Sequence, residues 1–158
     1  YILIEPNTNT VIAEFNSDFE IVPASMTKIM TVFIAAEYLA DGAISLEDET
    51  LVSTKAWKMT GSRMFIEQGK KVKILDLLKG IVIHSGNDAS VALAEFLGGD
   101  EEGFVDLMNS YAADLGMYDT NFFDASGLSD LNTTTARDLS ILTSNFINKF
   151  PETYALYK

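Results

Sequence analysis

Two short apolar runs, Tyr1–Glu5 and Val11–Phe15, flank Pro6-Asn7-Thr8-Asn9. Their partly β-branched content and the turn residues between them predict a β-hairpin. Asn16-Ser17-Asp18 reads as a turn and Ile21-Val22-Pro23 as extended chain. From about Ser25 to Ala40 the pattern becomes helical. Met26, Ile29, Met30, Val32, Phe33, Ile34, Ala36 and Leu39 leave few polar faces, so this helix is expected in the interior, with Asp41-Gly42 ending it. Leu46 to Gly69 is mixed and predicts short strands or turns. Ile74–Ile83 predicts a helix that Ser85-Gly86-Asn87 breaks, and Asp88 is expected to cap the next, running to about Leu97. Asp100 starts another, with Phe104, Leu107, Met108, Tyr111 and Leu115 at helical spacing and Gly116 closing it. Phe122-Phe123 predicts a short strand before the Ala125–Leu128 turn. Thr135 with Asp138 has the form of a capping box for a last helix reaching about Lys149.

The pattern is therefore one hairpin followed mostly by helices, without linker, repeat or low-complexity segment. A lone hairpin is marginal and its apolar residues need a helix or further strands beside them. With 158 residues, 47% of them hydrophobic, the chain suffices for one domain with its own core. Lys and Arg number 11 against 23 Asp and Glu, a net charge of -12. That balance argues against nucleic acid or anionic lipid held by a basic patch. No cysteine is present, which excludes disulfides, thiolate metal sites and Cys nucleophiles. No apolar stretch is long enough to span a bilayer, and no signal peptide is visible. The opening Tyr1-Ile2-Leu3-Ile4 already reads as strand and lacks an initiator Met, so a processed or trimmed N-terminus is expected.

Ser25 and Lys28 open the apolar helix and stand three residues apart, which makes them neighbours on its surface. A serine hydroxyl is a weak nucleophile until a base takes its proton. An amine serves as that base only when its pKa falls, and apolar surroundings lower it by disfavouring the charged form. A helix N-terminus also offers free backbone N–H groups to an oxyanion. The plainer alternative is an N-cap serine and a lysine that snorkels to water. A Ser-x-x-Lys pair arises by chance about once in a chain of this size, so it carries little alone. Ser85-Gly86-Asn87 lies on a short connector between two apolar helices, where a serine can pass a proton and an amide can hold a carbonyl or orient a lysine. Its plainer alternative is a helix break with caps.

Together, and in this order, the two motifs carry more weight. The sequence resembles the serine-type D-alanyl-D-alanine carboxypeptidases, the low-molecular-mass penicillin-binding proteins. Pro23-Ala24-Ser25-Met26-Thr27-Lys28 is similar to that family's active-serine segment. Asp76-Leu77-Leu78-Lys79-Gly80 leading into His84-Ser85-Gly86-Asn87-Asp88-Ala89 is similar to its second-motif segment. Phe104–Asn109, Leu115-Gly116-Met117, and Ser126-Gly127-Leu128 with Thr135-Ala136-Arg137-Asp138 extend the likeness over essentially the whole chain.

The resemblance implies an α+β fold of the β-lactamase/transpeptidase type, represented by an N-terminal hairpin and a mainly helical portion. It implies Ser25 as the acylated nucleophile, Lys28 as its proton acceptor, Ser85 as the relay to the leaving D-alanine, and Asn87 as the group that holds the substrate amide and helps fix Lys28. The implied substrate is a peptidoglycan stem peptide, with β-lactams acylating the same serine, in an exported protein of the periplasm or the outer face of the cytoplasmic membrane. No metal or cofactor is called for, and a membrane anchor would lie outside this chain. The family's third motif, Lys-Thr-Gly on a late strand, does not follow Ser85. Lys58-Met59-Thr60-Gly61 has an extra residue and comes too early. Residues 1–158 are accordingly expected to be an incomplete catalytic domain, poorly active by itself, with later sheet strands missing.

Two rivals follow. A class A β-lactamase uses a Glu to activate the deacylating water, but the corresponding position here, four residues before Asn132, is Leu128, and Gly86 stands where that class usually has Asp. A non-catalytic cell-wall scaffold would keep the fold without the third motif. Among other residues, His84 is sole of its kind but, as a sequence neighbour of Ser85, is expected to point away from it. Arg63 could touch an anionic ligand, but a place at the surface or in an ion pair is the plainer expectation, and Trp57 is expected in packing. Glu47-Asp48-Glu49 reads as a solvated turn, and Glu101-Glu102 as a helix first turn. The expected geometry is a Ser25 hydroxyl about 2.6–3.2 Å from the Lys28 nitrogen, with Ser85 and Asn87 lining the same cavity.

Overall fold

The computed structural model describes residues 1–158. Strands β1 (Ile2–Glu5) and β2 (Thr10–Glu14) form the antiparallel hairpin, with Ile2 opposite Glu14 and a bulge between Leu3 and Ile4. Helix α1 (Thr27–Ala40) follows a single 3-10 turn at Ala24–Met26, so the helical segment expected from Ser25 begins in the tighter geometry. Next come β3 (Glu49–Leu51), the short α2 (Thr54–Trp57) and β4 (Lys71–Lys73), with β3 and β4 antiparallel. Helices α3 (Ile74–His84), α4 (Asn87–Gly98), α5 (Glu101–Leu115), α6 (Ala136–Lys149) and α7 (Pro151–Tyr154) complete the chain.

One apolar core of 28 buried residues joins the helices. α1 is apolar nearly all round and is buried accordingly, packed by α3, α4, α5 and α6. At its centre Phe33 meets the edges of three other rings: Tyr111 of α5 and Phe146 of α6 at 6.2 Å, and Phe150 at 5.4 Å. The hairpin lies against α6 through β1, and Asn148 donates to the Pro6 carbonyl at 2.8 Å. β2 is exposed along its whole length. Arg137 at the start of α6 pairs with both Glu14 and Asp18, which fixes the end of the hairpin to the helical body.

Several expectations need correction. Asp88 lies inside the first turn of α4 and is not its N-cap; Gly86 is, and the Asp88 carboxylate accepts from the neighbouring Ala89 N–H and reaches across to the 64–66 backbone. Thr135 does cap α6 by accepting from the Asp138 N–H at 3.1 Å, but Asp138 turns to the Asp119 N–H and the Thr120 hydroxyl, so only half of a capping box forms. Phe122-Phe123 forms no strand; a single bridge pairs Asn121 with Thr133 instead. Trp57 is 45% exposed at the end of α2 and is not a core residue. Asp100, in contrast, caps α5 as expected, accepting from the Gly103 N–H at 2.7 Å.

Phe33→Ala should destabilise the protein by about 3–5 kcal/mol, because it removes the ring on which three others converge and leaves a cavity. Urea denaturation measures this.

Candidate active site

The four residues singled out from sequence come together at one point. Ser25 sits exposed in the turn before α1, and Lys28, in the first turn of α1, is only 4% exposed. The Lys28 nitrogen lies 3.2 Å from the Ser25 hydroxyl, 2.8 Å from Asn87 Oδ1 and 2.5 Å from the Ser126 carbonyl oxygen. The Ser85 hydroxyl donates to Ser25 Oγ at 3.0 Å. They meet on the rim of the helical body; the largest cavity in the chain is lined by none of the four. Ser85 and Asn87, expected to line one cavity with Ser25, meet Ser25 and Lys28 in a single hydrogen-bonded cluster.

Each side chain is aimed by its local backbone. Ser85 ends α3 in the left-handed region, with φ 52°. That turn carries the chain straight into α4 and brings Ser85 to Ser25. Asn87 opens α4; its N–H donates to the Ser62 carbonyl at 2.8 Å, and its Nδ2 to the Thr60 carbonyl at 2.7 Å. Since the amide nitrogen must face Thr60, the amide oxygen faces Lys28. A Cβ on Gly61 would come within 2.9 Å of that same Nδ2.

Two acidic residues build the walls. The Asp88 carboxylate, on a residue only 1% exposed, accepts from the backbone N–H groups of Met64, Phe65 and Ile66 at 2.8–3.2 Å. Asp124 accepts from Gly127, Leu128 and Ser129 N–H, from the Ser126 hydroxyl and from Asn132 Nδ2. Burial opposes its ionisation, yet these hydrogen bonds, led by that of Asn132, hold its pKa below the ordinary carboxylate value. Thr31 of α1 donates to the Ala125 carbonyl at 2.7 Å, and Glu101 accepts from the Ala125 N–H while pairing with Lys55. The loop that presents the Ser126 carbonyl is therefore fixed on three sides. Sequence reasoning placed Ser126-Gly127-Leu128 in a turn and read Asp88 as a cap, but assigned no role to Asp124 or to the Ser126 and Thr60 carbonyls, since main-chain acceptors leave no mark in a side-chain pattern.

Burial lowers the Lys28 amine from its ordinary 10.5 to about 8, against the Asp124 charge, which raises it. The neutral amine has two N–H groups and one lone pair. Asn87 Oδ1 and the Ser126 carbonyl can only accept, so they take the two hydrogens and leave the lone pair on Ser25. His84 is exposed and faces the large cavity, apart from the cluster. Arg63 enters no ion pair, contrary to one expectation for it, and stacks on Phe65.

The fold of a hairpin and helices around this cluster is that of the penicillin-binding proteins: it superposes on penicillin-binding protein 5 from Haemophilus influenzae with a TM-score of 0.94 at 34% identity, over 98% of this chain and 46% of that one. The chain belongs to the D-alanyl-D-alanine carboxypeptidase family, whose model matches residues 1–158. It is 42% identical over 162 residues to D-alanyl-D-alanine carboxypeptidase DacF of Bacillus subtilis, covering 99% of this chain and 42% of that protein. The crystal structure of the carboxypeptidase DacD from Francisella tularensis superposes with a TM-score of 0.97 at 38% identity, over 99% of this chain and 38% of that one. Penicillin-binding protein D2 from Listeria monocytogenes, solved in an ampicillin-bound form, superposes at 0.83 with 27% identity, over 96% of this chain and 62% of that one. The chain thus spans about two fifths of the length of the curated relatives it matches, 42% and 41% for DacF and for DacC of Escherichia coli.

Ala24 holds φ 48°, a strained value for a residue with a side chain. Gly127, at φ 80°, packs so closely that a Cβ there would lie 1.8 Å from the Ala24 carbonyl oxygen. Gly127→Ala should therefore cost at least about 2 kcal/mol through strain and displacement of the Ser25 turn, read as a lower urea midpoint.

Proposed function

We propose that residues 1–158 carry the nucleophile-bearing part of a larger serine-type D-alanyl-D-alanine carboxypeptidase domain that acts on peptidoglycan stem peptides. The observation that carries this reading is the geometry at Lys28: a buried amine of lowered pKa lies 3.2 Å from the Ser25 hydroxyl while Asn87 Oδ1 and the Ser126 carbonyl accept from it, so that in its neutral form the lone pair is left for Ser25. The membership of the chain in the carboxypeptidase family supplies the substrate class.

In this reading Ser25 Oγ attacks the carbonyl carbon of the penultimate D-alanine, and its proton passes to Lys28 Nζ. Ser85, hydrogen-bonded to Ser25 Oγ, stands where a proton can be relayed to the amine of the departing D-alanine. The peptide C–N bond breaks, free D-alanine leaves, and an ester remains on Ser25. Water then attacks the ester, the serine recovers its proton, and the shortened stem peptide is released. Asn87 holds Lys28 through Oδ1 while its Nδ2 is engaged by Thr60, and a substrate carbonyl would compete for that nitrogen. β-Lactams would acylate the same hydroxyl, as the ampicillin-bound relative suggests for this chain.

Such a substrate lies outside the cytoplasm, so we infer an exported, periplasmic or outer-face location. No helix of the chain is long and apolar enough to cross a membrane, so an anchor would be contributed from elsewhere. The fully exposed β2 strand, with Ile12 at 63%, fits a hairpin that takes further strands in the longer protein. The β-lactamase alternative is disfavoured, because Leu128 offers no carboxylate where that class activates its water.

In the full-length protein, fluorescent penicillin should label Ser25. Ser25→Ala should abolish the label, and Lys28→Ala should slow labelling at least about a hundredfold by removing the base. Labelling should also depend on pH. Because the Lys28 pKa is depressed, the active neutral amine dominates above about 8 and is lost as pH falls, so the rate should drop roughly tenfold per pH unit below that value. A rate flat from pH 6 to 9 would contradict Lys28 as the base, with the range set around its cited pKa.

A further inference from the structure

The largest concavity of the chain, about 700 Å³, lies beside the cluster and plays no part in the mechanism above. Two of its lining residues are next in sequence to residues of the site. His84 on its wall precedes Ser85, and Arg63 on its wall follows Ser62, whose carbonyl receives the Asn87 N–H. The volume is that of a small-ligand or peptide-residue pocket.

Its lining contrasts with the rest of the protein. In a chain of net charge -12, four of the 11 Lys and Arg residues face this one cavity: Arg63, Lys71, Lys73 and Lys79. Glu49 and Asp76 line it too; Lys71 lies 3.7 Å from Glu49, and Lys73 pairs with Glu47 at 2.6 Å. Arg63 and Lys79 enter no ion pair. Arg63 Nε is buried without a hydrogen-bond partner, so the charge of this guanidinium is left uncompensated within the protein.

The placement of Arg63 is built in. Its guanidinium stacks on Phe65, 4.7 Å from the ring centroid. Phe65 is 72% exposed and holds φ 63°, a strained conformation kept by the Asp88 carboxylate on the 64–66 N–H groups. An exposed aromatic in a strained backbone, bracing an unpaired cation at the edge of a cavity, is poorly explained by stability alone.

We propose that this cavity is a subsite for a carboxylate carried on the substrate peptide ahead of its terminal dipeptide, held by Arg63 with Lys79 in support and with Phe65 and Ile83 covering the apolar stem of that side chain. It rests on the peptidase reading and deepens it by naming a charge preference. The subsite acts by binding, so no covalent step is involved.

The test uses the full-length protein and two synthetic peptides ending in D-Ala-D-Ala. The residue before the dipeptide carries a side chain ending either in a carboxylate or in the matching amide. Release of D-alanine should give a kcat/KM about tenfold higher for the carboxylate peptide, as one charge-assisted bond allows, and added salt should shrink that ratio. Arg63→Gln should bring the ratio close to one. Lys70→Gln removes a neighbouring charge outside the cavity and should leave the wild-type ratio, while thermal melting verifies that both variants fold. Equal kcat/KM on the two peptides, or an unchanged ratio in Arg63→Gln, overturns the subsite while penicillin labelling of Ser25 keeps the peptidase. Failure of both D-alanine release and labelling in the wild type overturns the peptidase and the subsite together.

Discussion

The removal of one amine from water governs the architecture around Ser25. An ammonium in the position of Lys28 loses its hydration, and that loss is what lowers its pKa. The protein can hold the group there only by surrounding it with acceptors of fixed direction. Asn87 is fixed by Thr60, and the Ser126 carbonyl is fixed by a loop wound around Asp124. Lys28 itself is carried on the most deeply packed helix of the fold. Each support is far away in sequence, and each is polar and backbone-directed. The hydrophobic core and the reactive cluster are therefore parts of one problem, since α1 supplies both.

The acidic character of the chain has a share in this. Asp88, Glu101 and Asp124 face inward and bind main-chain N–H groups of segments that have no regular secondary structure. A carboxylate suits such work, because its two oxygens accept several hydrogen bonds at once. Irregular backbone near a site would otherwise leave donors unpaired. The strained residues Ala24, Phe65 and Ser85 lie beside these carboxylates or the cluster itself, where the surroundings hold conformations that an isolated chain would avoid.

Much of the fold was legible because its strongest signals are periodic. The buried α1, the capped α5 and the helix from Thr135 follow from apolar spacing and cap residues. The candidate site was legible because Ser25 and Lys28 lie one helical turn apart and because Ser85 and Asn87 sit in a triplet resembling a known motif. What escaped detection depends on contacts between distant segments. Asp88 looked like a cap, since Asp before an apolar run usually is one; the strained 64–66 turn claimed it instead. Trp57 looked like core, yet α2 is too short to cover it. The Ser126 carbonyl and the Arg63–Phe65 stack leave no trace in residue spacing.

The burial of α1 from Thr27 to Ala36 has a bearing on how the protein fluctuates. Local openings in folded chains begin at edges and termini, and the last amides to become accessible to solvent belong to the central helices. Here Ser25 and Lys28 are carried at the start of such a helix, while the groups bonded to them, Ser85 and Asn87 on one connector and the Ser126 carbonyl on a loop, come from two other segments. Breathing of the hairpin or of the 64–66 turn can loosen the surroundings without moving the base away from the hydroxyl. Competence at that pair is thus tied to the slowest, most global mode of the molecule.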